Sequence, residues 1–235
     1  MNPVLGNKTF SNLGYNQETM TVKGTINKSF FLWAILAVGA YLGWTSPNVF
    51  MPLIWPLVIG SFILAIVTVF KKHISPWTAP IYAFCEGLFL GVITLFFEKS
   101  YPGIAVNAVF LTISVLFCML FAFRAGYIRA TNKFYAIVGV STMAIMLLYV
   151  VNLIITMFGG AGIGFIYSSS TFGILFSVAV VIIASLNLII DFDIIQKGSM
   201  NGAPKYMEWY GAFALMITLV WLYLEILRLL TKIRN

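Results

Sequence analysis

Four carboxylates stand inside the apolar runs of this chain: Glu86 in the third run, Asp191 and Asp193 near the end of the sixth, and Glu225 in the seventh. The whole sequence has only seven Asp and Glu residues, so their concentration in apolar surroundings asks for a reason. A charged side chain at mid-membrane costs about 2.5–3.5 kcal/mol even on lenient insertion scales. An ionisable group kept there is by default part of a functional site. Carboxylates carry protons, and calcium prefers carboxylate and carbonyl oxygens in irregular geometry. Protons or metal cations are therefore the expected cargo.

The elements that hold these groups follow from composition. The 235 residues are 61% hydrophobic and 9% charged, against about 45–50% and about 25% in a soluble domain. This is the composition of a polytopic membrane protein whose first partner is the lipid bilayer. The net charge of +7 is dispersed over loops and is no nucleic-acid footprint. Cys85 and Cys118 both lie in apolar runs, with no disulfide framework. The first 28 residues are polar and contain no apolar signal core, so they read as a cytoplasmic N-terminal tail.

A helix needs roughly 20 apolar residues to cross a hydrocarbon core about 30 Å thick. Seven stretches qualify, near 29–46, 51–70, 78–97, 103–123, 134–158, 172–195 and 209–231. The expected fold is an all-α integral membrane bundle of seven transmembrane helices. Pro47, Pro52, Pro76, Pro80 and Pro102 fall between runs or in first turns, where proline is tolerated. Ten basic residues fall on the side of the N-terminus (Lys8, Lys23, Lys28, Lys71, Lys72, Arg124, Arg129, Lys133, Lys197 and Lys205). Four fall on the other (Lys99, Arg228, Lys232 and Arg234). That asymmetry predicts a cytoplasmic N-terminus and an external C-terminus. The uncharged loop FGGAGIGFIYSSST between runs five and six reads as a flexible outer loop, with a partly buried gate as the alternative.

With a rise of 1.5 Å per residue, Asp191 lies roughly 8 Å and Glu86 roughly 12 Å from the cytoplasmic ends of their spans. Two carboxylates at similar height would share a proton or a cation, because like charges resist ionising together. Asn187 precedes Asp191 by one turn and shares its face, so it could hold the carboxylate or ligate an ion. A plain polar seam between helices is the alternative. Gly87 and Gly91 follow Glu86 at a spacing suited to close helix contact. Asp193 points away from Asp191 and lies four residues before Lys197, which predicts a local ion pair, with membership of the ion-binding and proton-sensing set as the alternative. Glu225 is expected to pair with Arg228. Lys71 and Lys72 end the second span, where they either snorkel to the interface or latch Asp191.

Several chemistries are disfavoured. His73 is the only histidine and lies in a loop, so no Ser–His dyad or HExxH zinc site can form in the membrane. There is no phosphate-binding loop. The seventh run has no interior lysine for a retinal Schiff base. An enzyme is not expected.

The segments ASLNLIIDFDIIQKG and LVWLYLEILRLL resemble the Bax inhibitor-1 family, also called the transmembrane Bax inhibitor motif family. The opening NPVLGNKTF and YAFCEGLFLG are similar to a bacterial branch of it. The resemblance implies six helices around an apolar central seventh, and a pH-sensitive calcium leak. It also implies a sensor made by an aspartate of the sixth helix, here Asp191, with one of the seventh. Thr218 stands at that second position, so Glu86 is the expected substitute. The resulting expectation is a leak of cations, calcium first, gated by protonation of Asp191 and Glu86 with Thr218 nearby. No cofactor is expected beyond bound Ca2+ or protons. The rivals are a regulator of a membrane protease or other membrane protein, and a proton-coupled secondary transporter. Short loops and the absence of a targeting peptide fit a bacterial inner membrane.

Overall fold

The computed structural model describes residues 18–235. The segment NPVLGNKTF and Lys8 lie outside them. In lipid every backbone polar group must be satisfied within its own segment, and a long apolar run meets that demand as a helix. The described residues form α1 (Val22–Thr45), α2 (Pro47–Phe50), α3 (Ile54–Phe70), α4 (Ser75–Ser100), α5 (Ile104–Arg124), α6 (Asn132–Met157), α7 (Gly164–Tyr167), α8 (Thr171–Met200) and α9 (Met207–Arg234). Seven stretches are long and apolar enough to cross a membrane: α1, Pro47–Phe70, Lys72–Ser100, α5, α6, α8 and α9. The fold is therefore the all-α, seven-span architecture that the run lengths predict.

Several helices run past the bounds read from the sequence, among them α8 to Met200 and α9 from Met207 to Arg234, and two starts have a local cause or consequence. The first helix starts at Val22 instead of residue 29, because Thr21 caps it: Thr21 Oγ1 accepts from Gly24 N at 2.9 Å. The end of the expected tail is thus helical. Helix α4 starts at Ser75, which places Pro80 inside the helix, past its first turn.

The chain divides into two compact units. One comprises Tyr101–Phe192 and Thr218–Asn235, that is α5, α6, α7, most of α8 and the later part of α9. The other holds α1 to α4 with Asp193–Ile217, the end of α8 and the start of α9.

In the second unit α1 and α4 meet backbone to backbone. Gly39 and Gly43 of α1 face Gly87 and Gly91 of α4. A Cβ on Gly91 would stand 2.1 Å from Ala40 O, and one on Gly43 would stand 2.3 Å from Leu88 O. Only glycine fits, because the obstructing atoms are backbone and cannot turn aside. The spacing after Glu86 thus builds the close contact its small residues predict. Thr68 and Thr78 join α3 to α4 through a buried hydroxyl pair at 2.7 Å.

Burial is uneven along the chain. Within an 18-residue apolar stretch of α9, 56% of residues are buried, against 11% in the corresponding stretch of Pro47–Phe70. Large apolar side chains such as Phe62, Phe117, Val140 and Leu147 are exposed on the other helices, as a lipid-facing surface requires. Helix α9 nevertheless carries Glu208, Glu225, Arg228 and Lys232. A helix enclosed by protein can hold charges that one facing lipid cannot, because its neighbours satisfy them.

Candidate functional site

Asp191 lies in the enclosed part of α8, with Leu188, Ile189 and Ile190 fully buried beside it, and is itself 0% exposed. One turn earlier Asn187 is also buried. Its amide nitrogen donates to Thr142 Oγ1 of α6 and to Ile183 O, both at 2.8 Å. A backbone carbonyl can only accept, so the orientation of the Asn187 amide is fixed. Asn187 Oδ1 is left as a buried acceptor that meets no donor among the described residues. The polar seam between helices that the sequence offers as the alternative is present, and it runs from Asn187 to Thr142 of α6. Thr218 of α9, in the same unit, is buried as well.

Glu86 is half-buried on α4, with Ser61 of α3 and Tyr82 as neighbours. Tyr82 itself packs edge-on against Phe213, ring centroids 5.1 Å apart. Asp191 belongs to the first unit and Glu86 to the second. Lys71 is exposed at the C-terminus of α3, while the ammonium of half-buried Lys72 stands 5.7 Å from the centre of the Tyr210 ring. Asp193 pairs with Lys197 at 2.5 Å, the one-turn pair read from the sequence.

Glu225 and Arg228 also pair as expected, at 3.0 Å. Two partners were missed. Tyr149 of α6 donates its hydroxyl to the Glu225 carboxylate at 3.0 Å and accepts from Arg228 Nη1 at 2.6 Å. The Arg228 guanidinium also lies 4.9 Å from the Tyr149 ring centre. Trp221 Nε1 adds a bond to Glu225 at 3.2 Å. An aromatic one helix away has no spacing rule that would reveal it.

Two further charges went unrecognised because they lie just outside the expected 209–231 span. Glu208, in the first turn of α9, is 0% exposed. It accepts from Thr21 N at 2.9 Å and Thr21 Oγ1 at 2.8 Å, pairs with Lys28, and lies 3.4 Å from Lys205. The chain before α1 is stitched to the same place: Met20 N donates to Ala203 O, and Lys205 N to Glu18 O. Lys232 is the second. It is 3% exposed in the last turn of α9, one residue past the span read from the sequence, which itself holds no lysine. The helix simply runs past the apolar window.

The loop between α6 and α8 is also a correction. It folds back instead of hanging free: Ile166 is buried, and Asn152 Oδ1 accepts from Ile163 N at 2.7 Å. Asn152 Nδ2 donates to Tyr167 Oη at 2.8 Å.

Among the described residues no three His, Cys, Asp or Glu side chains gather as a metal cage. Buried single carboxylates on enclosed helices, flanked by amide and hydroxyl groups, mark a polytopic membrane protein that tolerates charge deep in its span. The sequence matches the family described as Bax inhibitor 1 like over residues 2–235, and the chain belongs to that family. No curated protein and no solved structure matches it.

Proposed function

We propose that this protein passes cations, calcium foremost, down their gradient, and that protonation of Asp191 gates the passage, with Glu86 as the second carboxylate and Thr218 nearby. The observation that supports this most is the place of Asp191: fully buried on α8, one turn after Asn187, whose Oδ1 offers an acceptor that meets no donor among the described residues. Such a place takes up a proton or a cation at low cost and resists a bare charge. Calcium is cargo in this reading. In this reading the N-terminus faces the cytoplasm of a bacterial inner membrane.

The test is calcium uptake by proteoliposomes holding the purified full chain, at pH 6 and pH 8. Uptake should differ between the two, and Asp191→Asn should flatten the difference while the variant still folds. A pH response that survives both Asp191→Asn and Glu86→Gln removes the gate from these residues. Saturable, proton-dependent uptake would point to a coupled transporter. No uptake above empty liposomes moves the reading to regulation of a membrane partner such as a protease. The stitching of residues 18–21 onto 203–208 favours that second reading, since it gives the N-terminal tail a fixed root.

A further inference from the structure

The ammonium of Lys232 sits in a cradle made of uncharged oxygens. It donates to Gly173 O at 2.9 Å, Ser177 Oγ at 2.8 Å and Phe165 O at 3.4 Å. Gly173 and Ser177 come from the first turns of α8, and Phe165 from α7 in the folded loop. All four residues belong to the same unit. Lys232 makes no ion pair among the described residues. Of the two carboxylates on its own helix, Glu225, the nearer in sequence, is taken by Arg228, Tyr149 and Trp221, and Glu208 by Lys28 and Lys205.

A lysine placed only to tie helices together could have met a carboxylate. Here the partners are backbone carbonyls and a hydroxyl, the ligand class that replaces the hydration shell of alkali cations in selectivity filters. The crowding of oxygens depends on a glycine. A Cβ on Gly173 would stand 2.2 Å from Ser168 O and 2.9 Å from Phe165 O, so only a bare Cα lets the loop carbonyls close on this point. The C-terminal end of α9 is fastened by Arg234 donating to Pro102 O at 2.8 Å and by Tyr101 Oη donating to Asn235 Oδ1 at 2.5 Å.

We propose that the Phe165–Gly173–Ser177 cradle is a monovalent-cation site, filled in the native chain by the tethered ammonium of Lys232. The lysine is the protein's own bound cation, and while it is seated it keeps free potassium or ammonium ions out of this end of the unit. The proposal is independent of Asp191 gating and concerns a different ion class.

The experiment compares the native chain with Lys232→Ala in detergent, measuring thermal unfolding in potassium, ammonium or choline chloride at equal ionic strength. A ligand that binds only the folded state raises its stability with concentration. The alanine variant should be stabilised by potassium or ammonium over choline in a dose-dependent way, and the native chain should not respond. Adding Ser177→Ala to the variant should shrink that response, since it removes one ligand. Lys232→Met, which keeps most of the stem's packing, takes the same comparison if the alanine variant does not fold. In liposomes rubidium uptake by the variant should exceed that of the native chain severalfold. A variant that unfolds at the same temperature in all three salts and takes up rubidium at the native rate overturns the proposal, and Lys232 is then a structural tie.

Discussion

Glu208 in the first turn of α9 and Lys232 in its last are both almost fully buried, yet their partners differ in kind. Glu208 meets two ammonium groups, Lys28 and Lys205, and two donors from Thr21. Lys232 meets two carbonyls and one hydroxyl. The first arrangement neutralises its charge on the spot. The second leaves a net positive charge that dipoles alone hold. A neutralised charge behaves as a fastener, because its partners have no other use. A charge held by dipoles can be exchanged for another of similar size, as in an ion site. The comparison separates a lock from an occupied socket, although both lie on one helix.

The largest effect expected is at the lock. Replacing Glu208 by alanine leaves two Thr21 donors and the Lys28 ammonium without their acceptor. Breaking a buried ion pair by removing one partner costs about 3–5 kcal/mol, and the lower end applies because Lys28 keeps some access to water (18% exposed). Reversible unfolding of the full chain in detergent should show a loss of about 3 kcal/mol, equal in potassium and choline chloride. A loss that free acetate restores where chloride at equal ionic strength does not would make the N-terminal end a socket too, for an anion, and erase the distinction.

These two sites were the least legible in the sequence. The seven spans could be read from run length alone, because the membrane thickness sets a ruler that apolar residues must fill. The pairs Asp193–Lys197 and Glu225–Arg228 were legible because helical spacing puts both partners on one face. Gly87 and Gly91 announced a close contact but not that Gly39 and Gly43 of α1 would supply the other half. Glu208 and Lys232 fell one residue outside the expected 209–231 window at either end. Apart from Lys205, three residues before Glu208, their partners lie far away in sequence or are backbone carbonyls, which every residue has and no pattern marks.

A third arrangement sharpens the contrast. Glu225 and Arg228 neutralise each other like the lock, but a neutral hydroxyl from α6 bridges them. Tyr149→Phe keeps the ring against the guanidinium and removes only the hydroxyl. Hydrogen bonds to charged groups contribute about 1.5–3 kcal/mol, and Arg228 is partly open to water (31% exposed). A loss near 1.5 kcal/mol is expected, insensitive to the identity of the monovalent salt. A salt-specific response in Tyr149→Phe would show that the socket extends beyond the Lys232 cradle to this cluster.

The smallest effect distinguishes the members of the lock. Lys205 is 47% exposed and 3.4 Å from Glu208, while Lys28 is 18% exposed and closer. Exposed ion pairs contribute about 0.2–1 kcal/mol and are screened by salt. Lys205→Ala should therefore cost under about 0.5 kcal/mol, and even that should fade at high ionic strength. The carboxylate then keeps Lys28 and both Thr21 donors, which are the groups that hold the start of α1 against the start of α9. If Lys205→Ala instead destabilises the chain as much as Glu208→Ala, the lock depends on its most solvated member. Burial would then be the wrong measure of which partner fixes a charge, and the ranking of Glu208 above Lys205 would have to be reversed.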